Sequence, residues 1–391
     1  MTVMFAHSNQ RSLKILKAAV IISLSQIEGS DYMDVDEKTQ IIRSFAEEII
    51  TEEELKQVFE TKTHPVTYDG FEPSGLAHLP FGVYRPLLIK DMQKTGIKFK
   101  LWLADWFSWI NNKMGGDLEK IHKVGEYFIE VWKAAGVKNV DYIWASESMD
   151  KEYWKKVIMV AKNTTVQRAT RCLTIMGRKE NEMKEVAQYF YPMMQTTDIF
   201  QLECDITQLG LDQRRACILA REVGPKIGLW KPVVVSHHML MSLAGAKEPE
   251  GYEANKKIDM EISSKMSKSK PATSIFVHDS SAEIKDKISR AYCPEKIIEN
   301  NPIMDYAKHL IFKSFEEIKI ERPKKFGGDV IFDDFGKLEK MYSEGKLHPA
   351  DLKNAVALDI DKLVAPIRKH FETVQKAREL YHFVKNCEVT R

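Results

Sequence analysis

The stretch 64-HPVTYDGFEPSG-75 is where the chain first commits to a fold. β-Forming residues run into Gly70, Pro73 and Gly75, and a helix-compatible segment, 86-PLLIKDMQKTG-96, follows. That is a strand, a turn and a helix. The next apolar burst, 97-IKFKLWLADWFSWI-110, reads as a buried strand ending near Asp105. A helix is expected over 117-DLEKIHKVGEYFIEVWKAAG-136, closed by Gly136, and another strand over 138-KNVDYIWAS-146. Strand, helix, strand at this spacing predicts an α/β protein with a parallel sheet and crossover helices. Such sheets bind ligands at the carboxyl ends of their strands.

Working outward, 36-DEKTQIIRSFAEEIITEEELKQVFE-60 places apolar residues at helical spacing without Gly or Pro, so residues 8–60 read as helices. Residues 150–225 look mainly helical, and 232-PVVVSHHML-240 reads as a strand. After Pro271 the character changes, and "SAEIKDKISRAY", "MDYAKHLIFKSFEEI" and "ADLKNAVALDIDKLVAPIRKHFETVQKAREL" are helical patterns. The expected organisation is an N-terminal helical extension over 1–60, a Rossmann-like parallel-sheet domain over 61–275 and an all-helical domain over 276–391. The middle domain carries a helical insertion at about 115–190.

Composition narrows the function classes. The 391 residues are 44% hydrophobic and 29% charged, with 58 basic and 56 acidic side chains and a formal net charge of +2. This is ordinary for a soluble globular protein and permits a nucleic-acid partner only through a local patch. The five cysteines are scattered and form no CxxC pair, so neither a zinc site nor a disulfide framework is expected and a reducing compartment is. The early apolar run AAVIISL falls well short of the ~20 residues of a membrane span. An amphipathic N-terminal helix is expected there instead.

Four constellations carry possible chemistry. In 68-YDGFEPSGLAHLPFG-82 a glycine turn before a helix lets backbone N–H groups approach phosphate, with His78 beside it. A histidine in such a turn is also commonly a structural cap. In 191-YPMMQTTD-198, Tyr191, Gln195 and Asp198 fall at i, i+4 and i+7 and share one helix face. A hydroxyl, an amide and a carboxylate there suit an ammonium or a phenol, or simply face solvent. In 210-GLDQRR-215, Asp212 and Gln213 suit a ribose hydroxyl, and Arg214 and Arg215 suit phosphate. Finally, 263-SSKMSKSK-270 is either a solvated basic loop or a polyphosphate-neutralising segment that closes over a ligand.

The order of these signals resembles the class I aminoacyl-tRNA synthetases, and within them the tyrosyl-tRNA synthetases of eukaryotic and archaeal type. The residues that carry the likeness are 68-YDGFEPSG-75 with His78, 103-LAD-105, 191-YPMMQTTD-198, 210-GLDQR-214, 265-KMSKS-269, 291-AYCP-294, 326-FGGD-329 and 348-HPADLKNAV-356, which span about 60–371. "LADWF" and "SHHML" resemble the plant and protist branch.

The resemblance implies activation of L-tyrosine with ATP, with Mg²⁺ accompanying the ATP and no protein metal site, and transfer of tyrosine to tRNA(Tyr) by a cytoplasmic homodimer. It implies that Tyr68 and Asp198 bind the substrate phenol, and that Tyr191, Gln195 and Gln213 bind its α-ammonium group. Gly70, Gly75 and His78 would line the ATP phosphates, and Gly210 and Asp212 would meet the ribose. Met266 and Ser267 would lie along the nucleotide. Lys265 and Lys268, with His78, would be catalytic through charge stabilisation at the α-phosphate. Arg171, Arg214 and Arg215 would approach the acceptor stem. The C-terminal domain would bind the anticodon through Phe326, His348 and Asp351.

Two departures from the family pattern stand out. The usual His-x-Gly-His is here 78-HLPFG-82, with Pro80 and Phe81 and no second histidine, so Gly82 is expected to take the close-approach role. Phe107 stands where many relatives have histidine, which alters the wall of the tyrosine pocket. The rivals are the sister tryptophanyl enzyme and a catalytically silent RNA-binding relative.

Overall fold

The computed structural model describes residues 33–178 and 182–387. The helix expected near the start of the chain lies outside these residues. Helix α1 (Val35–Arg43) begins at Asp34, whose carboxylate accepts from Glu37 N while Glu37 returns a bond to Asp34 N. The purely helical reading of the residues up to 60 is corrected by a strand. Between α1 and α2 (Glu52–Thr61) the chain forms strand β1 (Ala46–Ile50). A second capping box, Thr51 with Glu54, starts α2 and separates the two helices. The Glu-rich composition hid that stop signal.

The chain continues through β2 (Val66–Phe71), α3 (Arg85–Lys94), β3 (Lys98–Leu103), α4 (Asp105–Ile110), α5 (Leu118–Ala134) and β4 (Val140–Trp144). It then forms α6 (Lys151–Lys162), α7 (Val166–Cys172), α8 (Phe190–Gln201), β5 (Ile206–Gly210), α9 (Arg214–Val223) and β6 (Val233–His237). Strand β5 lies inside the stretch expected to be mainly helical. Its five residues are all buried, and so short a run gives little periodicity to set against its helical neighbours.

The six strands order as β1-β6-β5-β2-β3-β4. All neighbours are parallel except β1, which runs antiparallel to β6 and pairs Ile49 with Val235 and Ile50 with Val234. Strands β2, β3 and β4 build one half of the sheet and β5 and β6 the other. The chain therefore reverses its direction of growth between β2 and β5, and a ligand crevice is expected outside their carboxyl ends.

After α10 (Lys256–Ser264) come the lysine loop and a helical region: α11 (Ser281–Ser289), α12 (Pro302–Tyr306), α13 (Phe335–Ser343), α14 (Pro349–Thr373) and α15 (Gln375–Lys385). One correction applies to the all-helical expectation. Strands β7 (Ile318–Ile320) and β8 (Val330–Phe332) form an antiparallel hairpin before α13. Three-residue strands are too short to show alternation in sequence.

On one side of the sheet, a hydrophobic core runs from Phe81 and Phe128 through Val277 and Ile284 to Leu352 and Ile360. It crosses residue 275 without a gap. On the other side, a second core gathers Tyr68, Trp102, Phe107, Met194, Ile199 and Leu219.

Candidate active site

Helix α8 buries Tyr191, Gln195 and Asp198, the face expected from their spacing. Together with Tyr68, Trp102, Phe107, Glu72 and Gln213 they line one small cavity at the carboxyl end of β2. Asp198 is 1% exposed, and its Oδ1 accepts the Tyr153 hydroxyl at 2.8 Å. Burial pushes the Asp198 carboxyl well above the usual carboxylate range, with the Tyr153 bond pulling the other way. The Tyr68 hydroxyl is fully buried and unpartnered within the protein, while the buried Trp102 indole is directed at Asp198 and helps hold its carboxyl down. Buried polar groups rarely stay orphaned, so this cavity is built for a polar ligand atom.

The other end of the cavity is richer in acceptors. The Tyr191 hydroxyl donates to Glu72 Oε1 at 2.8 Å, and Asn111 Nδ2 donates to the same carboxylate at 2.9 Å. Gln195 Nε2 donates to Gln213 Oε1 at 3.0 Å, and Gln213 Nε2 donates to the Ile175 carbonyl at 3.1 Å. Phe107 stands edge-on to Tyr191, with ring centroids 4.8 Å apart, so the departure at this position does form part of the wall.

Gly70, Glu72 and Gln213 also border a larger cleft of about 980 Å³. Ser74, His78, Gly210, Asp212, Lys265, Met266, Ser267 and Lys268 line it. Gly75 does not reach the wall; it makes the turn, at a φ of +113° that favours glycine. Gly210 is a close-approach glycine, because a Cβ there would stand 2.6 Å from Asp212 Oδ1 and 2.7 Å from Met239 Sδ. His78 is half-buried and its Nδ1 is unpartnered. Burial, with the positive charges of Lys268 and Lys265 nearby, holds its imidazole well below the usual range and therefore neutral. The close-approach role expected of Gly82 is not what the structure shows. Gly82 is turned away from the cleft and gives room to Val277, which a Cβ would overlap at 2.4 Å, and to Val131, which it would crowd at 3.3 Å.

The lysine loop is tied down. Met266 N donates to the Leu240 carbonyl at 2.8 Å, and Ser274 Oγ donates to the Ser267 carbonyl at 2.7 Å. Lys265 Nζ forms an ion pair with Asp212. Lys268 Nζ reaches Ser74 Oγ at 3.3 Å.

The residues expected to meet tRNA are dispersed. Arg171 is exposed at the end of α7. Arg214 pairs with Glu48 at 2.7 Å and Arg215 with Glu253 at 3.0 Å, so both are engaged within the protein. Phe326 is 61% exposed. His348 caps α14 by accepting from Ala350 N at 3.1 Å, and Asp351 lies in the first turn of that helix. Arg322 ties these two places together, donating to the carbonyls of Gly328 and Lys346 at 2.9 and 3.0 Å.

Sequence reasoning did not single out Glu72, Trp102 or Tyr153. Glu72 lies inside the opening stretch and reads there as a turn residue. Tyr153 gives no local signal, because it meets Asp198 across 45 positions of chain.

Comparison with known proteins agrees with this geometry. A family model described as tRNA synthetases class I (W and Y) matches residues 60–365. The chain is 41% identical over 383 residues to "Tyrosine--tRNA ligase 1, cytoplasmic" of Arabidopsis thaliana, covering 95% of each. It is 41% identical over 383 residues to the tyrosine--tRNA ligase of Thermococcus sibiricus, covering 92% of this chain and 100% of that one. The solved tyrosyl-tRNA synthetase of Pyrococcus horikoshii complexed with L-tyrosine superposes with a TM-score of 0.81 at 39% identity, over 90% of this chain and 100% of that one. With that sheet, that cavity and relatives matched over nearly their whole length, the chain belongs to the class I tyrosyl-tRNA synthetases.

Proposed function

We infer that the chain is a tyrosine–tRNA ligase, which joins L-tyrosine to ATP as tyrosyl-adenylate, releases pyrophosphate and passes tyrosine to the 3′ end of tRNA(Tyr). One observation carries this reading: a small cavity with an orphaned hydroxyl, that of Tyr68, at its deep end opens, past Gly70, Glu72 and Gln213, into a lysine-lined cleft. The substrate phenol takes the deep end, between Tyr68 and Asp198. Its α-ammonium takes the acceptor-rich end, with Tyr191, Gln195 and Gln213, and Glu72 adds a negative charge. The carboxylate then faces the large cleft, where it meets the α-phosphate of ATP.

The protein supplies no nucleophile. It aligns the carboxylate with the phosphate and stabilises the charge that develops there. Gly70 and neutral His78 line the phosphates, with Gly75 setting the turn that lets them approach. Asp212, beside Gly210, accepts from the ribose, and Met266 and Ser267 border the nucleotide. Lys265 and Lys268 neutralise the phosphates as pyrophosphate leaves. Binding of ribose to Asp212 frees Lys265 from its ion pair. Mg²⁺ arrives on the ATP; the groups of three or more ligating side chains found among the described residues lie at His238, outside this cleft.

Residues 61–275 carry the chemistry and residues 276–391 read the anticodon, with Phe326 stacking on a base and His348 and Asp351 beside it. Arg171 contacts the acceptor stem, and Arg214 and Arg215 do so by exchanging Glu48 and Glu253 for phosphate. Val166 and Val186 are 78% and 80% exposed and Phe190 is 49% exposed, which supports a homodimer formed through this region. A cytoplasmic location is part of this reading, supported by the Arabidopsis relative that is named cytoplasmic. No described helix is long and apolar enough to cross a membrane.

Pyrophosphate exchange with each amino acid tests the reading. Exchange with tyrosine and not with tryptophan or phenylalanine is expected. Exchange with tryptophan alone would place the chain with the sister enzyme, and none at all would make it a silent relative.

A further inference from the structure

Lys268 is held differently from every ion-paired lysine in the cleft. Among the described residues no carboxylate lies within ion-pair distance of it. Its Nζ instead stands 4.5 Å from the ring centroid of Phe128 and 5.4 Å from that of Phe81. The two rings are 4.2 Å apart and are themselves locked: Phe81 touches Phe71 and Trp132, with centroids 5.1 and 4.7 Å away. Phe81 occupies the place of the second histidine in the family signature. A histidine there would offer a polar ring; this chain offers a π face.

We propose that Phe81 and Phe128 form an aromatic seat that positions the Lys268 ammonium for the α-phosphate, so that a seated cation does the work of a second histidine. The proposal rests on the role given to Lys268 above. An ammonium over π faces is attracted electrostatically yet remains unneutralised. It can meet incoming phosphate without first breaking an ion pair, as Lys265 must do with Asp212. Ser74 Oγ gives it a single hydrogen-bond partner and hence a direction.

The seat also implies a pH response. Burial, reinforced by Lys113 and opposed by Glu72, pushes the Lys268 ammonium down to about 7. Lys265, His78 and Lys270 line the same cleft; His78 is neutral and Lys265 is paired. Lys268 acts as a cation. The kcat/KM for ATP in tyrosine activation is therefore expected to fall as pH rises through about 7. Weakening the π faces disfavours the cation further and moves that fall to lower pH.

The test replaces Phe128, and separately Phe81, with mono-, di- and trifluorophenylalanine in the full-length enzyme. This drains the ring quadrupole with little change of volume. Tyrosine activation by pyrophosphate exchange is followed across pH, in the parent and on a Lys268→Ala background. A graded loss of about three- to thirtyfold in kcat/KM for ATP is expected, with an acid-shifted limb and an unchanged KM for tyrosine. On the Lys268→Ala background fluorination is expected to have no effect. Equal losses on both backgrounds, or no loss on either, would overturn the seat, since the rings would then serve packing alone. If Lys268→Ala itself leaves exchange at the parent rate, the failure lies with the role assigned to the lysine.

Discussion

Lys265 is neutralised by Asp212, whereas Lys268 meets a hydroxyl and two rings. Both are expected to act in the transition state. Lys265→Ala and Lys268→Ala should each slow tyrosyl-adenylate formation by roughly 10²- to 10³-fold, while tyrosine affinity holds, as read by single-turnover activation and tyrosine titration. If affinity fell and the rate held, the loop would be a binding element. At the other end of the site, Tyr68→Phe removes an orphaned donor that only the substrate can satisfy. A loss of about 10- to 100-fold in kcat/KM for tyrosine is expected, with phenylalanine hardly affected; competition between the two amino acids measures it. The residues on which these tests act were legible because their motifs are local. Trp102 and Tyr153 were not, because they reach the phenol end only after β3 and α6 are packed against α8. Nothing in "KEYWKK" points to Asp198.

Among elements, the parallel strands β2, β3, β4 and β6 were readable from apolar bursts bounded by turns. Strand β1 was not, because AEEII is chemically a helix sequence and becomes a strand by pairing with β6. Tertiary contact overrides propensity at such a sheet edge. The loop after β6 shows how elements are joined. His238 donates through Nδ1 and Nε2 to Glu261 of α10 at 3.0 Å and Asp305 of α12 at 2.7 Å, and its ring stacks on His309. Burial opposes the charge, but Asp305 and Glu261 outweigh it and push His238 up to about 10. His309 is held down to about 3, chiefly by burial, and Glu47, Lys257 and Lys308 border the same cavity. A folded value above the ordinary 6.5 means that the stabilisation is complete below about pH 6.5 and is lost as pH climbs towards 10. The urea midpoint should therefore drop between pH 7 and 9.5. His238→Gln should flatten that drop and cost on the order of 3 kcal/mol at pH 7; an unchanged pH slope in the variant would exclude the clasp. In the same spirit, Gly82→Ala overfills the contact with Val277 and should cost about 1–3 kcal/mol by urea denaturation, leaving tyrosine KM in place.

Across the whole molecule, the composition and the change of character after Pro271 pointed to two regions. What the sequence could not convey is how closely the regions are joined, since a continuous core leaves no mark on composition. Helix α15 packs along α5, and His278 Nε2 lies 2.8 Å from the Tyr127 hydroxyl. Anticodon reading is therefore best tested by point changes. Phe326→Ala and His348→Ala should lower the rate of tRNA charging about tenfold or more, on the basis of about 1–3 kcal/mol for a stacked base, with pyrophosphate exchange unaltered. Equal losses in both assays would remove these residues from the tRNA surface.

The junction of Val277 with Gly82 and Val131 has a consequence for anyone recombining this enzyme with a relative. The seam between the halves is a lock whose key is a single missing methyl. A donor C-terminal half carrying a bulkier residue at 277 would not seat, and a donor N-terminal half with a side chain at 82 would not admit this one. Crossovers should therefore be placed so that 82, 131 and 277 come from one parent, and libraries that separate them should be depleted of folded members whatever their anticodon specificity.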